Sequence, residues 1–442
     1  MTAAEVRIPH ARWIVAAIAL IGCSAILWLA RGYTFYFDEW TFILSAPDWT
    51  ATSYLEPHNM HPAILPRLIY AAMLGTVGLR AYWPYMVLLL ALHGTSVFLL
   101  FELVRRRAGD FIGLACALIL LVLGAGWENL LWAFQISFVG SVACGLGMLL
   151  ALESDANPRR MPLATALLVA SLMFSGIGLF FGIAAAVRLG ATKGRRRELT
   201  WLVPVGIVFG AWFLAFGRNG VAANSPSTIA NLLVLPLYTL WGLGASAAAI
   251  IGEGGLFGPP LLILAAGAVG FVWWRQGVDP LALGVATALV TFYLVTGLSR
   301  AQFGYQQSGS GRYVYEGAVF WLILLADAAR RLPWRGTWRP ALVACLFLAC
   351  FASGALLFTF AIAKTSQMER QIADLQALAA MRTDPCLNAN GTVDQLVMPQ
   401  LTTPATYYRA VDRYGDPVAS MPVVDRTDFD QARANLLKPG CQ

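Results

Sequence analysis

The stretch WIVAAIALIGCSAILWLARGYTFYFDEW, residues 13–40, decides the fold class and indicates where the chemistry lies. It begins with about eighteen apolar residues, enough to cross a membrane as a helix. It ends on the adjacent carboxylates Asp38 and Glu39, although only 12% of the chain is charged and 58% is apolar. Because a carboxylate at a membrane edge is costly to desolvate, such a pair is usually kept for catalysis or for binding a polar ligand.

The whole chain has the composition of an all-α, polytopic membrane protein. Its mean hydropathy is +0.64, and apolar runs of roughly 16 to 23 residues recur without the alternation of a β-barrel. The net charge of +7 comes largely from short arginine-rich loops. The positive-inside rule assigns such loops to the cytoplasm, so no nucleic-acid partner is needed to explain them.

About eleven spans place every basic loop on one side of the membrane, with the N-terminus inside. The predicted spans are 13–30, 82–104, 111–126, 131–151, 162–174, 176–190, 199–216, 256–274, 281–298, 314–330 and 340–362. Residues 63–79 and 232–251 are also apolar, but crossing would invert the loops that follow. We therefore expect an interfacial helix at 63–79 and an interfacial or re-entrant element at 232–251.

The sequence divides into a transmembrane domain, 1–363, and a small extracytoplasmic domain, 364–442. The first external loop, 31–81, lies on the same side as this tail. Cys386 and Cys441 are the only cysteines of the tail. Outside the cytoplasm they are expected to form a disulfide, although two free thiols are the alternative.

The first external loop carries two polar clusters. Asp38 is placed to act as general base toward a hydroxyl, with Glu39 assisting, orienting the acceptor or holding a metal. The second cluster runs from Glu56 to Pro62 and is followed by Arg67. Its two histidines, His58 and His61, and Arg67 suit a phosphate. Extended chain beside prolines would point His58 and His61 to opposite faces, so the two imidazoles need not converge on one ligand. A divalent metal and plain loop histidines remain alternatives.

Two later external segments supply further candidates. Arg300 and Arg312 flank a loop rich in glycine and serine, and Tyr313 follows. External arginines break the positive-inside trend, which a bound phosphate would explain, as would anchorage to anionic headgroups. Aromatic, amide and carboxylate groups suited to sugar rings form the predicted acceptor site: Glu56, Asn59, Trp127, Glu128 and Gln135. Interfacial tryptophan is also ordinary membrane-belt composition.

The chain resembles the GT-C superfamily of polytopic glycosyltransferases, which use polyprenyl-phosphate-linked sugars. The resemblance covers the architecture of the whole chain, but its motifs lie within 31–70 and 298–313: Asp38-Glu39 after the first span, the segment Pro57–Pro62, and Arg312-Tyr313. It implies inverting sugar transfer, with Asp38 as base and with Arg300 and Arg312 holding the departing phosphate. The chain is short and lacks the tryptophan-rich motifs and large soluble domain of oligosaccharyltransferases, which argues against protein glycosylation.

The expected function is transfer of a sugar from a polyprenyl-phosphate donor to a glycan or glycolipid of the cell envelope. The enzyme would sit in the plasma (inner) membrane, with its active site and C-terminus on the external or periplasmic side. No cofactor is certain, and a divalent metal stays open. The alternatives are a transporter or flippase for a lipid-linked or polar solute, and a non-catalytic subunit that binds lipid-linked glycans.

Overall fold

The computed structural model describes residues 7–153, 159–220, 229–330, 338–389, 391, 403–422 and 425–441. It is 78% helical and contains no strand in these residues. The α-helices of this part are, in chain order, α1 (Ala11–Leu29), α2 (Asp38–Ser45), α3 (Ile64–Thr76), α4 (Trp83–Leu121), α5 (Glu128–Leu131), α6 (Ile136–Ala151), α7 (Arg160–Phe174), α8 (Gly178–Ala191), α9 (Val203–Trp212), α10 (Ile229–Ala249), α11 (Gly258–Gln276), α12 (Pro280–Arg300), α13 (Gly311–Ala329), α14 (Trp338–Met381), α15 (Pro404–Tyr414) and α16 (Arg426–Asn435).

Within the described ranges, eight helical stretches are long and apolar enough to cross a membrane. They are Ala11–Leu29, Trp83–Leu121, Ala133–Ala151, Arg196–Gly220, Ile229–Ala249, Gly258–Gln276, Pro280–Phe303 and Trp338–Met381. The prediction of a helical membrane protein is confirmed, and the count of eleven crossings stays a prediction. α7 and α8, with 15 and 14 residues, are short for a span. α13 has 19 residues but carries three charged side chains.

Two of the predicted spans, 82–104 and 111–126, form the single element α4. Its 39 residues are interrupted at Gly109, whose φ of 88° and ψ of 169° are not helical. Glycine adopts positive φ without the steric cost of a Cβ atom. The chain turns back here, because Gly113 in the second segment lies against Phe101 and Arg105 in the first.

The predicted cytoplasmic loops meet at one end of the helix bundle, here called the basic end. Arg107 contacts Glu153 at 3.0 Å and Asp279 at 2.6 Å, and Arg188 contacts Glu153 at 2.7 Å. These ion pairs join α4, α8, Glu153 two residues after α6, and Asp279 directly before α12. Residues 331–337 of the predicted basic loop 330–339 lie outside the described residues. The other bundle end, which carries Asp38, is called the site end.

α10 has the length of a span, but its contacts keep both of its ends at the site end. Near its start, Asn231 donates to the Leu298 carbonyl at 2.9 Å, close to the end of α12. Its middle reaches α13, where Trp321 Nε1 donates to the Leu243 carbonyl at 3.1 Å. Gly252, just beyond it, lies against Ser353, whose Oγ accepts from Gly124 N. The interfacial or re-entrant character of this segment stays a prediction, with which these contacts agree.

The C-terminal tail packs on the loop 31–81, which was predicted to be external. α14 continues to Met381, across the predicted domain boundary at 363–364. Tyr407 of α15 packs on Trp40 of α2 with ring centroids 5.8 Å apart, and the Leu79 amide donates to the Tyr414 carbonyl at 2.9 Å. The tail therefore packs against α2, the helix that begins at Asp38, and stabilises its position.

The predicted disulfide between Cys386 and Cys441 is confirmed. It joins the chain just after α14 to the chain just after α16, across 55 residues of sequence. The Lys438 amide donates to the Cys386 carbonyl at 2.9 Å beside it. The bridge thus closes the tail onto the end of the long helix.

Replacing both bridged cysteines with serine is expected to loosen the tail. Chain entropy for a loop of this length corresponds to a loss of at most about 4 kcal/mol in the stability of the closed tail. Limited proteolysis of the full-length protein should show faster cleavage after Met381. Cys345→Ser, which changes an exposed free thiol, is the matched control. Equal cleavage rates in the three proteins would contradict the prediction.

Candidate active site

Asp38 is the first residue of α2 and faces a polar cavity at the site end. The chain enters the helix through Phe37, whose φ of 51° and ψ of −120° are unusual for a residue with a Cβ atom. Such a conformation costs about 1–3 kcal/mol and persists only where its surroundings impose it. Aromatic packing supplies part of this, since Trp132 lies edge-on to Phe37 at 6.1 Å. The Asp38 residue is 7% exposed.

The segment 58–61 is a tight turn rather than extended chain. The amides of His58 and His61 each donate to the other's carbonyl at 3.0 Å, and Asn59 between them has φ 54°. Asparagine tolerates this left-handed conformation better than most residues. The turn therefore brings both histidines to the lining of the cavity, a convergence that extended chain would not have required. The flanking prolines bound the turn instead of extending it.

Arg300 ends α12, and Arg312 with Tyr313 begins α13. Two short 3-10 turns, Ala301–Phe303 and Tyr305–Gly309, return the chain between them. Gly304, between these turns, has φ 95°, which glycine permits. The loop thus brings two arginines distant in sequence from Asp38 to the same cavity.

The polar cavity gathers most of the predicted site. Its polar lining is Asp38, His58, Asn59, His61, Gln135, Ser137, Ser175, Arg300, Arg312 and Tyr313, and aromatic rings complete its wall. The enclosed space is about 40 Å³, room for a few water molecules at most. A sugar would therefore have to displace side chains of the lining in order to enter.

The two arginines of the cavity differ in their charge balance. Arg312 Nε lies 2.9 Å from Glu128 Oε2, and the same oxygen accepts from the Arg312 amide at 3.0 Å. Arg300 forms no ion pair within the described residues, and its Nε is buried without a hydrogen-bond partner. Because a partly buried guanidinium without a counter-charge is costly, Arg300 is the group of the cavity that an anion would stabilise most.

The imidazoles contribute differently to the site. Burial and the nearby Arg300 hold the pKa of His61 at about 3, so its ring is neutral at physiological pH. His58 Nε2 lies 3.8 Å from Asp38 Oδ2, too far for a direct hydrogen bond. His58 Nε2 and Gln135 Oε1 are both buried, and neither atom has a hydrogen-bond partner within the described residues. Unsatisfied buried groups of this kind point to a polar ligand or ordered water between them.

A metal centre finds little support in the described residues. They contain no group of three or more histidine, cysteine, aspartate or glutamate side chains placed to hold a metal ion. Asp38 and His58 are neighbours, but two ligands alone do not make the sites that proteins normally use for divalent cations. The metal alternative stays an untested prediction.

An apolar groove adjoins the polar cavity. It encloses about 370 Å³ between α8, α9 and α12, and its lining is mostly aliphatic and aromatic, with Phe180, Phe213 and Phe292 among it. Arg300, His61 and Tyr313 line both spaces. The groove therefore ends at Arg300, the guanidinium that forms no ion pair in the described part of the chain.

Five predicted site residues do not line the cavity: Glu39, Glu56, Arg67, Trp127 and Glu128. The Glu39 carboxylate is fully buried and accepts hydrogen bonds from Tyr36 N, Tyr70 Oη and Tyr82 Oη, which corrects its assignment as a catalytic partner. Glu56 is exposed, and its carbonyl accepts from the Arg67 guanidinium, which is thereby turned away from the cavity. Trp127 stacks on Phe360 at 5.1 Å. Glu128 acts through Arg312 rather than on the cavity surface.

Sequence reasoning missed two serines of the cavity lining, Ser137 and Ser175, and also Lys364, which is buried against Tyr36. Ser175 lines the cavity at the break between α7 and α8, a point that the sequence marks by a Ser-Gly pair between two short helices. Lys364 is 5% exposed, with its Nζ 3.1 Å from the centre of the Tyr36 ring. Nothing in the local sequence distinguishes this lysine from a residue at a membrane boundary.

Comparison of the chain with protein-family models, curated proteins and solved structures finds no match. The case for a function therefore depends on the residues of the cavity and their geometry.

Proposed function

We propose that the protein is a membrane glycosyltransferase that moves a sugar from a polyprenyl-phosphate carrier to a hydroxyl of a cell-envelope glycan or glycolipid. The observation that carries this proposal is the junction of the two spaces at Arg300. An unpaired guanidinium suits a phosphate, the apolar groove suits an isoprenoid chain, and the carboxylate of Asp38 lies in the same polar cavity. Few ligands other than a lipid phosphate need both surfaces at once.

In the proposed reaction Asp38 takes the proton from the acceptor hydroxyl as its oxygen bonds to the anomeric carbon. The bond between that carbon and the phosphate oxygen breaks on the opposite side, which inverts the configuration. The departing phosphate gains negative charge, and Arg300 stabilises it in a site from which water is largely excluded. His61, being neutral, can donate one ring N–H to the phosphate without adding charge.

The basic end supports the orientation of the proposed enzyme. Its arginines lie in the loops opposite the cavity, and arginine-rich loops are retained in the cytoplasm. The cavity and tail would then face the outside of the plasma (inner) membrane. A disulfide in the tail is in keeping with that side.

Purified protein in lipid, offered a panel of polyprenyl-phosphate sugars, tests the proposal. The expected result is release of free polyprenyl phosphate that depends on an added glycan or glycolipid acceptor. Lipid binding without release would instead indicate a non-catalytic binding subunit. Movement of the intact donor across a sealed vesicle, again without release, would indicate a flippase.

A further inference from the structure

The Glu39 carboxylate is a point at which three walls of the polar cavity are joined. It is completely buried and receives hydrogen bonds from Tyr70 Oη at 2.9 Å, Tyr82 Oη at 3.2 Å and the Tyr36 amide at 2.8 Å. A buried carboxylate is costly unless it is hydrogen-bonded, and these three donors satisfy it. They make Glu39 the acceptor that holds these groups together.

Each donor belongs to a different part of the cavity. Tyr36 precedes α2 and Asp38, and Tyr70 lies in α3, directly after the His58–His61 turn. Tyr82 precedes α4, and its hydroxyl oxygen also accepts from the Ala133 amide at 3.0 Å. Ala133 begins the short 3-10 turn that presents Gln135 to the cavity. The Glu39 side chain therefore connects the segment of Asp38, the helix that follows the His58–His61 turn, and the turn that carries Gln135.

The contact with Tyr36 also bears on the entry into α2. The Glu39 side chain reaches back over Phe37, the residue with positive φ, and closes a local ring at the Tyr36 amide. Strained backbone persists where such contacts impose it. Because Asp38 follows Phe37 directly, the direction of its carboxylate depends on that ring.

We propose that Glu39 is a positioning residue, which uses the Tyr70 and Tyr82 hydroxyls to aim Asp38 at the acceptor hydroxyl. This inference rests on the proposed function for the role of Asp38. The hydrogen-bonded hub itself, Glu39 with its three donors, does not depend on that function. Loss of one tyrosine hydroxyl should leave the cavity's groups in place but let their relative positions vary, which lowers turnover more than binding.

Because Glu39 can be protonated, the stability of the protein should depend on pH. Burial raises the pKa of Glu39 to about 8, from an ordinary 4.5. Between these values the unfolded chain has lost the proton and the folded protein keeps it, so stability falls as pH rises from about 5 to about 8. The other titratable groups that face this carboxylate are Tyr70, Tyr82, Tyr85 and Lys364. The tyrosine donors favour the ionised carboxylate, so removing one raises the pKa of Glu39 further.

Tyr70→Phe and Tyr85→Phe form a matched pair for the test. Both side chains are fully buried in the same aromatic cluster, but Tyr85 Oη donates to the Gly78 carbonyl at 3.0 Å instead of to Glu39. Thermal unfolding of both variants and the wild type should be followed from about pH 5 to pH 9. We expect similar losses of Tm at the acidic end. Only Tyr70→Phe should extend the fall of stability to higher pH.

Kinetics supply the second readout. Tyr70→Phe should lower kcat roughly tenfold with the donor KM unchanged, whereas Tyr85→Phe should leave kcat close to that of the wild type. Identical pH profiles of Tm for the two variants would overturn the hub, whatever the activity. A shifted profile with unchanged kcat would overturn the positioning role. A shifted profile in a protein whose wild type transfers no sugar would overturn the proposed function and the positioning role, while the hub stands.

Discussion

Replacing Asp38 with asparagine is expected to abolish sugar transfer while the protein stays folded. Asparagine keeps the size of the side chain but cannot accept the proton of the attacking hydroxyl. General-base catalysis typically contributes about 10²–10⁴-fold to the rate, so release of free polyprenyl phosphate should fall by at least that lower factor. Thermal unfolding should change little, because Asp38 lines the cavity rather than the packed core.

Asp48→Asn is the matched control for this change. Asp48 lies on the same loop, 31–81, its side chain is 66% exposed, and it pairs with Arg409 at 3.1 Å. Exposed ion pairs of this type contribute little to stability, and we expect near-normal transfer. Near-normal turnover by Asp38→Asn would remove Asp38 as the base and would direct attention to another acceptor of the proton.

Replacing Arg300 with methionine is expected to weaken binding of a long-chain polyprenyl phosphate about tenfold to a hundredfold. The guanidinium has no ion-pair partner among the described residues, and its Nε is buried without an acceptor. A hydrogen bond to a charged group is worth about 1.5–3 kcal/mol, which corresponds to that loss of affinity. Methionine keeps most of the side chain's length and apolar contact. Equilibrium binding to the protein in lipid measures the effect without any need for turnover.

Arg275→Met is a suitable control, because Arg275 likewise lies over aromatic rings, those of Phe271 and Trp274, but does not line the cavity. It should bind the lipid phosphate as the wild type does. Arg312→Met should behave differently from both, since it leaves Glu128 without its partner at 2.9 Å, and we expect a lower Tm as well as weaker binding. Unchanged affinity in Arg300→Met would contradict the proposed phosphate site.

Span-level features were largely predictable because they follow from local composition. The apolar segment 13–30 became α1 (Ala11–Leu29), and 281–298 became α12 (Pro280–Arg300). The thickness of the hydrocarbon core and the helical rise per residue set the length of each such segment, whatever the segment packs against. Polar residues recur at helical spacing over 365–382, but it was not predicted that this segment continues the last span as one helix to Met381. The helix leaves the apolar segment there and is stabilised by the tail and the first loop.

The candidate site was predictable by residue type but not by contact. Asp38, Gln135, Arg300 and Arg312 were identified as unexpected polar groups at one side of an apolar chain, and they line one cavity. Arg67 was identified by the same reasoning, yet it binds the Glu56 carbonyl. Composition shows that a polar group in an apolar segment costs free energy unless it is hydrogen-bonded. It does not show whether a ligand or the backbone supplies that hydrogen bond.

By itself the sequence determined the class of protein, the positions of most helices and the segregation of arginine-rich loops from the acidic first loop. Burial of apolar side chains in lipid and retention of cationic loops act on each segment separately, so these features follow from local composition. Tertiary structure alone decided which of two adjacent carboxylates faces the cavity and that a turn at Asn59 brings two histidines to one side. It also decided that Glu128 neutralises Arg312, whereas no carboxylate among the described residues pairs with Arg300. These outcomes depend on the direction of single side chains and on contacts such as those of Tyr70 with Glu39 and of Glu128 with Arg312, and no local pattern encodes either.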